Sequence, residues 1–186
     1  MKKILFRILV WGTPALILYF VADTLIAAGT FKTIEPHFSG SVEKIGLPIA
    51  GPEDIAIDQS TGLAFIASDD RRANFTAPGS VPGALYLINL QDSLPILQDV
   101  TPKTPQDFHP HGISLFRTQD GRLLLFVVSH RKLSEGDVVE RFEWQNESLV
   151  HLETIVDQAL MTAPNDLVAV GERSFYVTND HYYAES

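Results

Sequence analysis

Three stretches of this chain follow one plan: "EDIAIDQSTGLAFIASDD", "HGISLFRTQDGRLLLFVVSH" and "NDLVAVGERSFYVTNDH". Each opens on a polar pair, runs as an apolar strand, turns through a polar or glycine-containing link, and runs as a second strand into another polar cluster. Asp54 and Gly112 stand 58 positions apart, and Gly112 and Asp166 stand 54 apart. Between and after them lie further short apolar runs, "ALYLINL", "VVERFEW" and "LVHLETI", punctuated by Gly, Pro, Asn and Asp. Short strands at such spacing mean an all-β chain. A repeat of about 50 residues with four strands per unit is the mark of a β-propeller blade. The inner strand of every blade starts near the central axis, so Glu53-Asp54, His111-Gly112 and Asn165-Asp166 are expected to converge there. From residue 46 onward there are 141 residues, enough for two blades and part of a third. Closure of a ring takes about four to eight blades, so these 186 residues read as an incomplete propeller.

The N-terminus has a different character. Lys2, Lys3 and Arg7 precede a mostly apolar run from Ile8 to Ala28, about the ~20 residues a bilayer span requires. Residues 1–29 read as a hydrophobic helix that serves as a membrane anchor or signal segment, with the anchor favoured over cleavage at Ala27-Ala28-Gly29. The basic flank keeps to the cytoplasmic side, which puts the body of the protein outside the cytoplasm, anchored or secreted. Residues 30–45 follow as a linker and the start of the propeller, and residues 46–186 as the partial propeller.

Of the net charge of −9, the first 29 residues contribute +2, from Lys2, Lys3 and Arg7 against Asp23, leaving −11 on the body. A body this acidic is no nucleic-acid binder, because phosphate contacts need a basic surface. Cysteine is absent, which removes disulfides, thiol nucleophiles and Cys-based zinc sites. A metal would have to be held by oxygen or imidazole.

Glu53, Asp54, Asn165 and Asp166 are hard oxygen donors of the type calcium takes. A single such pair is usually a turn or cap, but pairs recurring at the blade period favour a shared site. His111 in "FHPHGISLF" opens an inner strand, and His130 closes the next strand in "FVVSH", so one hairpin could bring the two rings together. An imidazole held by a second group can take a proton from water near neutral pH, although a structural histidine gives the same pattern. His109, His151 and His181 are read as structural or exposed. "NFT" at Asn74 and "NES" at Asn146 match the glycosylation acceptor pattern. No nucleophile elbow, P-loop, GxGxxG or HExxH is present.

From about Gly51 to Tyr183 these motifs together resemble the paraoxonase/arylesterase family of calcium-dependent six-bladed propeller hydrolases. The resemblance rests on "GPEDIAI" with "GLAFIAS", on "PHGISLF", on "LFVVSH" followed by "VERFEW", and on "NDLVAVG" with "FYVTNDHYY". It implies two calcium ions: Glu53 and Asn165 ligate the catalytic ion, while Asp54, Asp166 and the backbone carbonyl of Ile113 hold the structural one. It also implies that His111 is the proton acceptor, with His130 as its dyad partner, and that the substrates are small esters or lactones. The family's remaining ligands belong to later blades and its cysteine pair has no counterpart here. The chain by itself is therefore expected to lack a stable, calcium-tight, active fold. The loop "DDRRANFTAPG" after "FIAS" departs from the family and bears on substrate preference. Two other readings keep the fold: a non-catalytic interaction module with structural calcium, and a propeller like gluconolactonase or strictosidine synthase.

Overall fold

A computed structural model describes residues 2–35, 37–42, 49–134 and 136–181. The expected boundary between residues 45 and 46, and Tyr182, Tyr183 and Ser186, lie outside the described residues. The chain divides into two compact units, Met1–Ile45 and Gly46–Ser186. In the first, helix α1 spans Lys2–Ala27 with Pro14 inside it. Within it Phe6–Ala27, 22 residues, is long and apolar enough by length and composition to cross a membrane. The helix stops where Gly29 takes φ +69°, which lets the Gly29 and Thr30 N–H groups turn back onto the Ile26 and Leu25 carbonyls at 3.0 and 3.1 Å.

The second unit is built of three antiparallel sheets. Strands β1 (Pro52–Asp58), β2 (Leu63–Ser68), β3 (Ala84–Asn89) and β4 (Gln98–Asp99) form the first in that order. Strands β5 (Pro110–Arg117), β6 (Leu123–Ser129), β7 (Val138–Gln145) and β8 (Ser148–Ile155) form the second, and β9 (Pro164–Gly171) with β10 (Ser174–Asn179) forms the third. This is the expected all-β partial propeller: two four-stranded blades and a hairpin of a third. Two details were not read from the sequence. The outer strand β4 is only two residues long, too short to leave a pattern. A short helix α2, Arg71–Thr76, lies inside "DDRRANFT", where the Asp70 side chain caps it by accepting from the Ala73 N–H at 2.9 Å.

Why β6 reads "LLLFVVS" without alternation follows from its place between two neighbours. Side chains alternate across a strand. Leu123, Leu125 and Val127 pack with Phe65, Ala67, Leu85 and Leu87 of the first blade, whereas Leu124, Phe126 and Val128 pack with Met161 and Leu167 and against Phe175 and Val177 of the third. Every residue of β6 is buried, and β8 at the outer edge returns to alternation. T-shaped aromatic pairs, Phe65–Trp144 at 5.3 Å and Phe108–Phe142 at 5.8 Å, add to the first of these layers.

At the turn ends the blades are tied by charge. Asp58, at the end of β1, pairs with Arg117 at the end of β5, and accepts from the hydroxyls of Ser60 and Thr61. Burial pushes the Asp58 carboxyl up, but the hydrogen bonds from Arg117, Thr61 and Ser60 outweigh it and hold the group at about 2, below the ordinary 3.8. A depressed carboxylate stabilises the fold above its unfolded pKa, and that contribution is lost as pH falls through the folded value. Asp58→Asn is therefore expected to lower stability by about 2 kcal/mol at neutral pH. The gap to wild type should close between about pH 4 and about pH 2, read by urea unfolding across that range. A gap independent of pH would mean that the carboxylate does not titrate with folding.

Candidate functional site

Each inner strand carries its polar pair directly after a proline: Pro52-Glu53-Asp54-Ile55, Pro110-His111-Gly112-Ile113 and Pro164-Asn165-Asp166-Leu167. The ladder slips at all three places, between Pro52 and Ile55, between Pro110 and Ile113, and where Leu167 pairs with Val177 but Pro164 with Asn179. A bulge breaks the ladder locally and re-aims side chains. The three pairs thereby meet: the Asp54 carboxylate accepts from its own neighbour Ile55 and from Ile113 across the blade boundary, both at 2.7 Å. Asp166 repeats the first of these contacts with Leu167 at 2.7 Å.

His111 is buried at this junction. Its Nδ1 lies 2.7 Å from the Asn165 carbonyl, which can only accept, so Nδ1 carries a proton. Its Nε2 lies 2.7 Å from Glu53 Oε1 and 3.0 Å from Arg71 Nη1, and Arg71 also donates to Glu53 at 2.9 Å. The side chain of Asn165 donates to Asp180 at 3.2 Å. The rings of His111 and His130 stand edge to face with centroids 4.7 Å apart. They touch without a hydrogen bond between them, since both nitrogens of His111 face other groups and the Nδ1 of His130 faces Asp137 Oδ2 at 2.9 Å.

Arg71 and Asp137 were not foreseen. Arg71 belongs to α2, too short for helical periodicity to mark. Asp137 and His130 close the two ends of one hairpin loop, a placement that only the register pairing Ser129 with Val138 reveals. Arg71 and Asp137 line a cleft of about 660 Å³, together with His130, Phe75, Lys132 and Asp180.

Beneath the cleft a polar network joins two blades. The Asp69 carboxylate, 4% exposed, lies 2.9 Å from Nδ1 of His109, 3% exposed, and accepts from Asn74 Nδ2 at 3.0 Å. Asn74 also bonds the backbone of Val81 through both ends of its amide. Of the two acceptor-pattern asparagines, Asn74 is thus buried with its amide hydrogen-bonded, whereas Asn146 is exposed in the β7–β8 turn. His109 is structural, as expected. So is His151, whose Nε2 meets Glu140 at 2.7 Å. Asp107 accepts from the N–H groups of Lys132, Leu133 and Ser134 at 3.0, 2.9 and 2.8 Å and so pins the loop that follows His130. Burial raises the Asp107 carboxyl, but these three donors hold it below the usual range.

For calcium the donor set fits in kind, with the Glu53 and Asp54 carboxylates at the start of β1 and the Asn165 amide and Asp166 carboxylate at the start of β9, on strands that both meet β5. Calcium takes 6–8 oxygens. Among the described residues no three His, Cys, Asp or Glu side chains cluster as a metal cage, so carbonyls, amides or water would complete the shell.

Over residues 31–186 the chain matches the family model described as Arylesterase. It is 36% identical over 166 residues to serum paraoxonase/lactonase 3 of Homo sapiens, covering 86% of this chain and 45% of that protein. It is 40% identical over 138 residues to serum paraoxonase/arylesterase 2 of Gallus gallus, covering 72% and 38%. To serum paraoxonase/arylesterase 1 of Rattus norvegicus it is 36% identical over 141 residues, covering 73% and 39%. The chain spans less than half the length of these relatives.

Proposed function

The chain belongs to the arylesterase family, and from that membership we propose that it carries the histidine pair and part of the calcium-ligand set of a hydrolase acting on aryl esters or lactones. The observation that supports this most is the contact of His111 and His130 at 4.7 Å beside Glu53, which reaches His111 at 2.7 Å. Glu53 and Asn165 would hold a catalytic calcium; Asp54, Asp166 and the Ile113 carbonyl would hold a structural one. The chemistry calcium supplies when bound is polarisation of the substrate carbonyl and stabilisation of the oxyanion that develops there. The chain's own groups do the rest. The Asn165 carbonyl fixes the His111 ring, the bulges hold the carboxylates at the junction, and the histidine pair takes the proton of the attacking water.

The substrate would enter the cleft that borders His130, with Phe75 offering it an exposed aromatic wall. For α1 the proposal is a retained membrane anchor with the body outside the cytoplasm, because a basic flank precedes a span of 22 residues. One experiment addresses both points: a full-length version, this chain followed by the later blades of a relative, is separated into membrane and soluble fractions, and each is assayed on phenyl acetate and on a lactone with and without EGTA. Hydrolysis in the membrane fraction, lost on chelation and in His111→Gln, is the expected result. Hydrolysis indifferent to thorough chelation overturns the calcium role, and no hydrolysis of either substrate favours a non-catalytic module. A soluble body with a new N-terminus near Thr30 shows that α1 is removed.

A further inference from the structure

We infer that Asp137 is the positioning residue of this site and that, with Asp137 behind it, His130 rather than His111 is the group whose free nitrogen takes the proton from water. The inference rests on the hydrolase reading above. Both nitrogens of His111 are committed, Nδ1 to the Asn165 carbonyl and Nε2 to Glu53 and Arg71. His130 is arranged differently. A carboxylate can only accept, so Asp137 Oδ2 at 2.9 Å places the His130 proton on Nδ1. The Nε2 of the neutral ring then carries the lone pair, and among the described residues it is shielded and has no hydrogen-bond partner. A buried polar atom without a partner needs an explanation, and a base awaiting its substrate provides one. Carboxylate, Nδ1–H and unpartnered Nε2 is the order of parts found in nucleophile-activating triads, where the acid fixes the tautomer and stabilises the imidazolium that forms.

Strand pairing and hydrogen bonds hold both ends of this arrangement. His130 and Asp137 are the first and last residues of the β6–β7 loop, and Ser129 and Val138 directly beyond them are paired. Asp107 grips that loop through three N–H groups, and Arg131 donates to the Gly136 carbonyl at 2.8 Å. In the proposed step a water O–H bond breaks as its oxygen bonds the ester carbonyl carbon; the proton goes to His130 Nε2, the ring becomes imidazolium against Asp137, and the same proton leaves with the departing alkoxide. His111 remains a fixed neighbour, its ring T-shaped to that of His130 with centroids 4.7 Å apart.

The test uses the full chain with nitrogen-15 labelled histidine, comparing wild type with Asp137→Asn. Imidazole NMR of His130 should report the Nδ1–H tautomer in wild type. In the variant the proton should move toward Nε2, because a carboxamide can present its NH₂ to Nδ1. A wild-type His130 found as Nε2–H, or a tautomer unchanged in the variant, overturns the inference whether or not the chain hydrolyses any ester. Where hydrolysis is present, kcat should fall on the order of 10²–10⁴-fold with KM held. A loss confined to KM, or none, overturns the role in proton transfer. Failure of the hydrolase reading alone would appear as absent hydrolysis with the tautomer as expected, which confines the inference to the positioning of His130.

Discussion

His109→Ala is expected to cost about 3–5 kcal/mol of unfolding free energy, the range for leaving one member of a buried polar pair without its partner. The first and second blades meet through this side chain: Asp69, at the end of the β2 strand, comes from one, and His109, just before β5, from the other. Removing the imidazole leaves the Asp69 carboxylate, at 4% exposure, with the Asn74 amide as its side-chain partner among the described residues. It also opens a cavity under the cleft, since His109 is itself 3% exposed. The backbone contacts that His109 makes, its N–H to the Ser129 hydroxyl and its carbonyl to the His130 N–H, each 3.0 Å, would survive but lose their packing. Urea unfolding of the single variant, of Asp69→Asn and of the double variant reads the coupling directly. The double variant should recover part of the loss, because the stranded charge is gone. A single-variant loss under about 1 kcal/mol would show that the pair contributes no more than an ordinary exposed contact.

The blades were legible because their burial is periodic. A central strand packed on both faces must be apolar throughout, which is why "LLLFVVS" announced itself, and the polar pairs at blade spacing announced the junction that β1, β5 and β9 share. Other features left no such trace. Strand β4 has two residues and α2 has six, shorter than the windows over which a period of 2 or 3.6 can be seen. Asn74 matched an acceptor pattern for glycosylation, but three-residue motifs carry no information on burial, and its amide is used up by Asp69 and Val81. Asp137 is one acid in a loop and carries no motif. Only the pairing of Ser129 with Val138 puts it opposite His130, and that register depends on how eight loop residues fold back. The prolines before each bulge were visible in the sequence, yet their meaning is geometric: a pleat interrupted at the same point in three strands turns successive polar residues toward one centre.

Gly112 sits at that centre, and Gly112→Ala is expected to destabilise the body by about 1–3 kcal/mol, as overpacking does where neighbours cannot yield. A methyl group on Gly112 would lie 2.6 Å from both Cα and Oδ1 of Asp166 and 2.7 Å from the carbonyl oxygen of Asn165. Two of those three atoms are backbone, so the clash cannot be relieved by rotating a side chain. The strand β9 would have to move away from β5, and with it the Asn165 carbonyl that holds His111 at 2.7 Å and the carboxylate of Asp166. Stability, the orientation of His111 and the proposed cation site thus depend on one missing carbon. The comparison with the other two strands makes the requirement specific: Asp54 and Asp166 occupy the equivalent position in theirs, and each folds its carboxylate onto the next N–H at 2.7 Å. In the middle strand that N–H, from Ile113, is taken by Asp54 of the neighbouring blade, so a side chain at Gly112 would have neither room nor its local partner. Thermal unfolding of the variant, with calcium titrated into both proteins and read by calorimetry, measures the two consequences together. The expected result is a lower midpoint and weaker calcium binding. A variant as stable as wild type would show that β5 and β9 can separate freely, and unchanged calcium binding in a destabilised variant would place the cation away from Asn165 and Asp166.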